Sequence, residues 1–143
     1  MAAHDERPYD VLVVEDDLGD QLLIEEALTA EGQPRKIVQA PDGLAALDHL
    51  RTAERHPDLI MLDLNMPRMS GAEFLSILKT DDRLRTIPVV VLTTSASPDD
   101  ISDAYRRHAN AYVIKPADLD EFTQAVQRID TFYSSIAARI PQA

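Results

Sequence analysis

The chain has 143 residues, a formal net charge of −11 at pH 7 and no cysteine, which suits a single domain without disulfides, thiolate metal ligands or a cysteine nucleophile. The acidic balance argues against direct binding to nucleic acid or to an anionic membrane, and no apolar run approaches the ~20 residues of a membrane span. The missing cysteines and the lack of a signal peptide at the N-terminus predict a cytoplasmic protein.

Strand candidates alternate with helix candidates along the chain. Apolar runs occupy residues 9–14, 37–40, 59–62, 87–92 and 111–114. A helix-start signal follows each run: Asp17, the turn Pro41-Asp42-Gly43, the capping-box pair Ser70 and Glu73, the Ser97-Pro98 pair, and Asp118. Five strand–helix pairs with right-handed crossovers predict an α/β fold, a doubly wound parallel five-stranded sheet with helices on both faces.

Apolar side chains at helical spacing predict which face of each helix packs on the sheet. In the first three helices these residues are Leu18, Leu22, Ala27 and Leu28, then Leu44, Leu47 and Leu50, then Phe74, Leu75 and Leu78. The strand at residues 37–40 is shorter and more polar than the others, which predicts a position near a sheet edge.

Polar side chains suited to phosphoryl chemistry follow four of the strands. Glu15 and Asp16 follow the first, Asp63 the third, Thr93 the fourth and Lys115 the fifth. Because the carboxyl ends of parallel strands lie at one edge of a sheet, we expect these side chains in one crevice. Clustered carboxylates repel each other, and Mg²⁺, which takes oxygen ligands, would relieve that repulsion. With Lys115 as a compact positive charge, the pattern predicts a site for a phosphoryl group on Asp63.

Each of these residues has an ordinary explanation when it is taken alone. An acid after a strand is usually a turn former or a helix cap, a threonine such as Thr93 is common in strands, and a lysine before a proline is usually solvated. Their joint occurrence at the strand ends of one sheet edge favours the functional interpretation.

The order and spacing of these residues closely resemble the receiver domains of bacterial two-component response regulators. The matching motifs are Val13-Val14-Glu15-Asp16-Asp17, Asp63-Leu64-Asn65-Met66-Pro67 with Gly71, Thr93, and Tyr112-Val113-Ile114-Lys115-Pro116. The resemblance runs from about residue 10 to residue 128 and implies a flavodoxin-like fold with strand order 2-1-3-4-5. We accordingly predict a flexible N-terminus over residues 1–8, a receiver domain over 9–130 and a C-terminal helix extension over 131–143.

The resemblance also implies the chemistry of the site. In that family the residue matching Asp63 is phosphorylated by a partner histidine kinase. The acids matching Glu15 and Asp16 hold Mg²⁺, together with the Asp63 side chain and the backbone carbonyl at Asn65. We therefore expect a phosphoacceptor that assists its own phosphorylation and dephosphorylation, rather than an enzyme.

Three further expectations come from the same resemblance. The residues matching Thr93 and Lys115 contact the phosphoryl group. The aromatic residue matching Tyr112 swings inward on activation, so Thr93 and Tyr112 are the expected switch residues. The peptide bond between Lys115 and Pro116 is expected to be cis.

A narrower resemblance links the chain to the phytochrome-associated response regulators. It is carried by Asp20, the triplet Glu26-Ala27-Leu28, the segments 82–88 and 91–95, and the extended C-terminal helix. In those proteins a single receiver without a DNA-binding output domain pairs with a light-sensing kinase. The expected partner is therefore a sensor histidine kinase, with a bacteriophytochrome as the candidate. Ser70 departs from many relatives, which carry an acid or amide there, and this affects only the details of the loop.

Apolar residues continue at alternating spacings of three and four through the last helix candidate: Leu119, Phe122, Val126, Ile129, Tyr133, Ile136 and Ile140. A helix over residues 118–140 would be about 35 Å long, which is more than the sheet can cover. We expect residues 119 to 129 to pack in the core. The distal side chains, Phe132, Tyr133, Ile136 and Ile140, are expected to form a homodimer interface, because monomers rarely expose large apolar patches.

Two rival functions belong to other classes of protein. A phosphatase would use Asp63 as its nucleophile, but such enzymes place a second aspartate two residues further on as a general acid, and this chain has Asn65 there. An adaptor that is never phosphorylated would not need the acid pair, Thr93 and Lys115. A P-loop nucleotide site is unsupported, since the chain lacks a glycine-rich stretch that ends in Lys-Ser or Lys-Thr.

Overall fold

The computed structural model describes residues 7–141, so part of the predicted flexible N-terminus and the last two residues lie outside the described chain. The strands are β1 (Tyr9–Val14), β2 (Arg35–Ala40), β3 (Leu59–Leu62), β4 (Val89–Thr93) and β5 (Ala111–Ile114). They form one sheet in the order β2-β1-β3-β4-β5, and every neighbouring pair is parallel. This order confirms the predicted flavodoxin-like fold.

The α-helices are α1 (Leu18–Thr29), α2 (Gly43–Thr52), α3 (Gly71–Thr80), α4 (Pro98–Arg106) and α5 (Leu119–Thr131). Each begins after an aspartate or serine whose side chain accepts a hydrogen bond from the backbone N–H three residues further on. That bond satisfies one of the free N–H groups at a helix start. The N-caps are Asp17, Asp42, Ser70, Ser97 and Asp118. All five predicted helix starts are confirmed.

The sheet carries a hydrophobic core on each face. In β1, Leu12 packs in a cluster that contains Phe74 of α3, and its neighbour Val11 packs in a cluster that contains Phe122 of α5. Strands β1, β3 and β4 are fully buried, whereas β2 is only partly covered, as predicted for an edge strand. The last residues of the buried central strands therefore lie in fixed positions at the carboxyl edge of the sheet.

For two helices, the prediction of which residues face the sheet is partly wrong. Leu18 and Leu22 of α1 are 78% and 57% exposed, while Ile24 is buried. A helix turns about 100° per residue, so Leu22 and Ile24 lie on nearly opposite sides of α1. Leu44 of α2 is also exposed, whereas Leu47, three residues further on, is buried. Apolar character alone did not distinguish the sheet-facing side from the solvent side.

The last helix is extended, as predicted, but it ends earlier than expected. After α5 the chain continues as one π-helical segment, Phe132–Ile136, and Ala137 adopts an extended conformation. The prediction that the helix reaches Ile140 is therefore wrong, and so is the prediction that Leu119 is buried. The tail lies against the start of β1 instead: the Arg139 guanidinium is 4.9 Å from the centre of the Tyr9 ring.

Candidate functional site

The predicted site residues meet at the carboxyl edge of the sheet. The register of the strands fixes their backbones: Asp63 N–H donates to the carbonyl oxygen of Val14 at 3.0 Å, and Lys115 N–H donates to the carbonyl oxygen of Thr93 at 2.7 Å. Each of these bonds joins the end of one strand to the end of its neighbour. The parallel topology thus places Glu15, Asp63, Thr93 and Lys115 side by side, as expected.

Glu15, Asp16 and Asp63 form a compact acidic cluster. Each offers a carboxylate oxygen, and these oxygens lie within 4.8 Å of one another. Glu15 and Asp63 are buried, and Asp16 is exposed to solvent. A set of carboxylate oxygens on a partly open edge fits a hard divalent cation, which prefers oxygen ligands and retains some of its waters.

The electrostatics of the cluster are set by burial and by neighbouring charges. Burial is the main cause that raises the pKa of Glu15 to about 7, and the negative charge of Asp63 adds to this effect. A hydrogen bond from Lys115 opposes the shift, as does the Asp17 N–H, which donates to Glu15 Oε2 at 3.1 Å. The charged form of Glu15 is therefore less favoured here than in water, and a bound cation would favour it.

Lys115 is the positive charge of the site. Its side chain is only 6% exposed, and Nζ donates to Glu15 Oε1 at 2.5 Å and to Asp20 Oδ2 at 2.7 Å, with Asp63 Oδ2 further away at 3.6 Å. Burial lowers the pKa of Lys115, but the hydrogen bonds to Asp20 and Glu15 outweigh it and leave the pKa above its ordinary value. Lys115 is consequently a permanent cation.

Asp20 is a site residue whose role the sequence did not reveal. The narrower family resemblance includes Asp20 but implies no function for it. The sequence does place Asp20 in the first turn of α1, and that turn starts at the same edge of the sheet as the site. This position is the feature from which a role in the site could have been predicted. Contact with Lys115, 95 positions away in the sequence, depends on the tertiary structure.

The loop after β3 holds the Asp63 carboxylate in place. The backbone N–H of Asn65 donates to Asp63 Oδ1 at 3.3 Å. A Cβ atom on Gly71 would collide with the carbonyl oxygen of Asp63, so α3 can begin here only with glycine. Arg68 has a positive φ of 65°, and its Nε lies 2.8 Å from Asp42 Oδ2, which ties the loop to the start of α2.

Thr93 and Tyr112 are linked through the loop that follows β4. Thr93 is fully buried at the end of β4, and its Oγ1 accepts a hydrogen bond from the Ser95 N–H at 3.5 Å. The Tyr112 hydroxyl donates to the backbone carbonyl of Ser95 at 2.9 Å, and burial raises the pKa of this phenol. Ser95, which the sequence did not single out, thus joins the two predicted switch residues.

The expected cis bond between Lys115 and Pro116 is wrong for this structure, since no peptide bond within residues 7–141 is cis. The trans form is the intrinsically preferred one, even before proline. Lys115 reaches the acidic cluster with the trans bond in place.

The residues of the predicted dimer segment lie far from this edge. Phe132 and Ile136 are 48% and 71% exposed, whereas Tyr133 packs partly against the core. Ile140 lies in the tail, off the helix, and lines a cavity of about 370 Å³ with Leu84 and other residues.

Across residues 7–141, no helix has the length and apolar character that crossing a membrane requires.

Comparison with known proteins identifies the family. A model of the response regulator receiver domain matches residues 11–127. The chain therefore belongs to the response regulator receiver domain family, whose members work in two-component signalling with histidine kinases. The fold and function classes predicted from the sequence are confirmed.

Two relatives align with this chain over most of their own length. The probable methanogenesis regulatory protein FilR2 of Methanothrix harundinacea is 42% identical over 132 residues, which are 90% of this chain and 85% of that protein. The response regulator Rcp1 of Synechocystis is 36% identical over 138 residues, which are 93% of this chain and 94% of Rcp1.

Among solved structures, the phosphorylated cyanobacterial phytochrome response regulator RcpA superposes with a TM-score of 0.91 at 39% identity, covering 94% of this chain and 100% of RcpA. The Mn²⁺-bound form of Rcp1 gives a TM-score of 0.88 at 35% identity, with coverage of 94% and 100%. The predicted likeness to phytochrome-associated response regulators is confirmed.

Proposed function

We propose that Asp63 is the phosphoacceptor of this response regulator and that a sensor histidine kinase, with a bacteriophytochrome as the candidate, supplies the phosphoryl group. The observation that carries this proposal is the meeting of the Asp63 carboxylate, two further acids and the Lys115 ammonium at one edge of the sheet. The phosphorylated state of RcpA supports it by similarity. The cytoplasm is the proposed location, where such a kinase presents its phosphohistidine.

The chemistry is a transfer between two protein side chains. An Asp63 carboxylate oxygen attacks the phosphorus of the phosphohistidine, and the new O–P bond forms as the N–P bond breaks. The electron pair of the broken bond returns to the imidazole nitrogen of the kinase. Lys115 and the Thr93 hydroxyl then donate to phosphoryl oxygens, so they stabilise the charge that arrives on Asp63.

Mg²⁺ is the proposed cofactor. Glu15, Asp16 and Asp63 would hold it with the backbone carbonyl of Asn65, and their oxygen atoms are the type of ligand that Mg²⁺ takes. When bound, the ion neutralises negative charge on the phosphoryl oxygens. The Mn²⁺-bound structure of the related Rcp1 supports a divalent cation as the cofactor.

The switch is proposed to run from Thr93 to Tyr112. A Thr93 hydroxyl that turns toward the phosphoryl group changes its contact with the Ser95 N–H, and the Tyr112 hydroxyl is bonded to the carbonyl of the same Ser95. Charge-assisted hydrogen bonds from Thr93 and Lys115 contribute about 3–6 kcal/mol together, comparable to the ~5.5 kcal/mol that reverses a 1:99 population. The surface around β4 and β5 is therefore the proposed output face.

The protein is proposed to act as a phosphoacceptor that assists its own phosphorylation and dephosphorylation. A homodimer formed through Phe132, Tyr133 and Ile136 is proposed as the assembly. Ile140 is left out of that interface, because the tail carries it away from the helix. Asn65, which offers no acid beside Asp63, disfavours rapid hydrolysis by a phosphatase mechanism.

The test is incubation with acetyl phosphate and Mg²⁺, followed by intact-mass measurement. The wild type is expected to gain the mass of one phosphoryl group, and Asp63→Asn is expected to gain none. Asp48→Asn, an exposed acid on α2, serves as the matched control and should behave as the wild type does. A wild type that stays unmodified with this donor and with a kinase would leave the adaptor interpretation as the better one.

A further inference from the structure

Asp20 contacts the ammonium group of Lys115 from outside the acidic cluster. The distances from Lys115 Nζ to Glu15 and Asp20, 2.5 Å and 2.7 Å, are those of hydrogen bonds, whereas the distance of 3.6 Å to Asp63 Oδ2 is too long for one. In this arrangement Lys115 is shared between Glu15 and Asp20. The phosphoacceptor carboxylate therefore receives no direct hydrogen bond from the ammonium group.

The place of Asp20 in the fold separates it from the other two acids. Its backbone N–H donates to Asp17 Oδ1 at 2.8 Å, which fixes it in the first turn of α1. Its side chain is 29% exposed, against 6% for Lys115, so the bond between them forms at the mouth of the site. Among the described residues, Asp20 is the carboxylate within 4.0 Å of Lys115 that does not belong to the acidic cluster.

This difference matters once Glu15 and Asp63 are engaged with a cation. Their attraction for Lys115 then falls, because part of their charge is compensated, while the attraction of Asp20 is unchanged. With a cation bound, Asp20 would be the partner of Lys115 whose charge stays uncompensated.

We propose that Asp20 is a positioning residue that holds Lys115 away from Asp63 before phosphorylation and competes with the phosphoryl group for Lys115 afterwards. Before transfer, Asp63 Oδ2 accepts no hydrogen bond from Lys115, so its lone pairs stay available for attack on phosphorus. After transfer, Lys115 exchanges its bond to Asp20 for a bond to a phosphoryl oxygen. Asp20 therefore makes the phosphorylated state less stable than it would be with a neutral residue at this position. The inference rests on the proposed function.

The test is the affinity for trifluoroberyllate, which adds to a carboxylate oxygen and has the shape and charge of a phosphoryl group. Binding is measured by calorimetry at a Mg²⁺ concentration that saturates each variant. Asp20→Asn removes the charge and is expected to bind trifluoroberyllate about three- to tenfold more tightly than the wild type, since a competing charge-assisted hydrogen bond is weakened. Asp20→Ser is expected to shift the affinity in the same direction and replaces Asp20→Asn if that variant folds poorly.

Asp120→Asn is the matched control, because Asp120 is an exposed acid in the first turn of α5 and its loss changes the net charge equally. Its affinity is expected to stay within about twofold of the wild type, since long-range effects of an exposed charge are screened. Unchanged or weaker binding in both Asp20 variants would overturn the positioning role, and so would equal tightening in the Asp120 control. A wild type that binds no trifluoroberyllate, or an Asp63→Asn variant that binds it equally well, would instead overturn the proposed function.

Discussion

At the scale of single residues, the phosphoacceptor is held by atoms that leave little room for change. Asp63 is buried, its carboxylate receives a backbone N–H from Asn65, and its carbonyl oxygen lies against Gly71. A Cβ at position 71 would also come within 2.6 Å of the Leu64 Cα. These are backbone atoms, which cannot rotate away as a side chain can. The position of Asp63 thus depends on a glycine that has no chemical role of its own.

Gly71→Ala is therefore expected to lower the free energy of unfolding by about 2–4 kcal/mol, since the new methyl group forces the backbone at Asp63 to move. Chemical denaturation measures the loss. Gly19→Ala is the control, because its Cβ would meet a side-chain atom, Asp17 Oδ1, at a tight 3.1 Å that a small side-chain movement relieves, and its effect should stay within about 1 kcal/mol. Similar losses in the two variants would show that the contact with Asp63 is unimportant.

At the scale of elements, the sequence predicted helix starts better than helix faces and helix ends. The N-caps are local, because each side chain bonds to a backbone group three residues away, so Asp17 and Ser70 can be recognised without knowing the fold. The sheet-facing side of α1 is a tertiary property, and Leu22 is exposed although it is as apolar as the buried Ile24. The end of the last helix at Ile136 likewise depends on what the tail contacts afterwards.

The C-terminal tail contacts Tyr9, the first residue of β1. The Tyr9 ring is buried and lies near the guanidinium groups of Arg35 and Arg139, which are 5.8 Å and 4.9 Å from the ring centre. Burial is the largest cause that raises the pKa of the Tyr9 phenol, and the negative charge of Asp58 adds to it. The neutral phenol is therefore favoured by the folded state.

A fall in stability at alkaline pH follows from this shift. Above about pH 10 a tyrosine in the unfolded chain loses its proton while Tyr9 in the folded chain keeps it. The unfolded state then binds fewer protons, so the free energy of unfolding decreases as pH rises, by up to about 1.4 kcal/mol per pH unit. Tyr9→Phe should reduce this slope in denaturation measured between pH 9 and about pH 11. Tyr105→Phe, at an exposed position, is the control, and an equal reduction there would contradict the explanation.

At the scale of the whole molecule, two surfaces differ in chemical character. The carboxyl edge of the sheet collects charge, and the distal end of the last helix exposes Phe132 and Ile136 on the far side of the fold. The two rings of Phe132 and Tyr133 pack edge to face, with centroids 5.0 Å apart, so Phe132 has a defined orientation. An ordered apolar surface of this kind is suited to a second copy of the chain.

We expect Phe132→Ser and Ile136→Ser to shift the protein from dimer to monomer, because each removes apolar area from the proposed interface. Sedimentation velocity measures the change at several concentrations. Ile114→Ser, an exposed apolar residue at the end of β5, is the matched control and should leave the assembly unchanged. A wild type that sediments as a monomer throughout, or a control that dissociates equally, would contradict the proposed dimer.

The sequence by itself determined the strands, the helix starts, the family and the side chains at the carboxyl edge other than Asp20 and Ser95. It could do so because caps and apolar runs are local signals, and because parallel strands bring their ends together in any order of winding. Only the tertiary structure decided that Lys115 bonds to Asp20, that Leu18 and Leu22 face solvent, and that the tail leaves the helix to cover Tyr9. These features depend on how elements distant in the sequence pack against each other, and no local pattern records that.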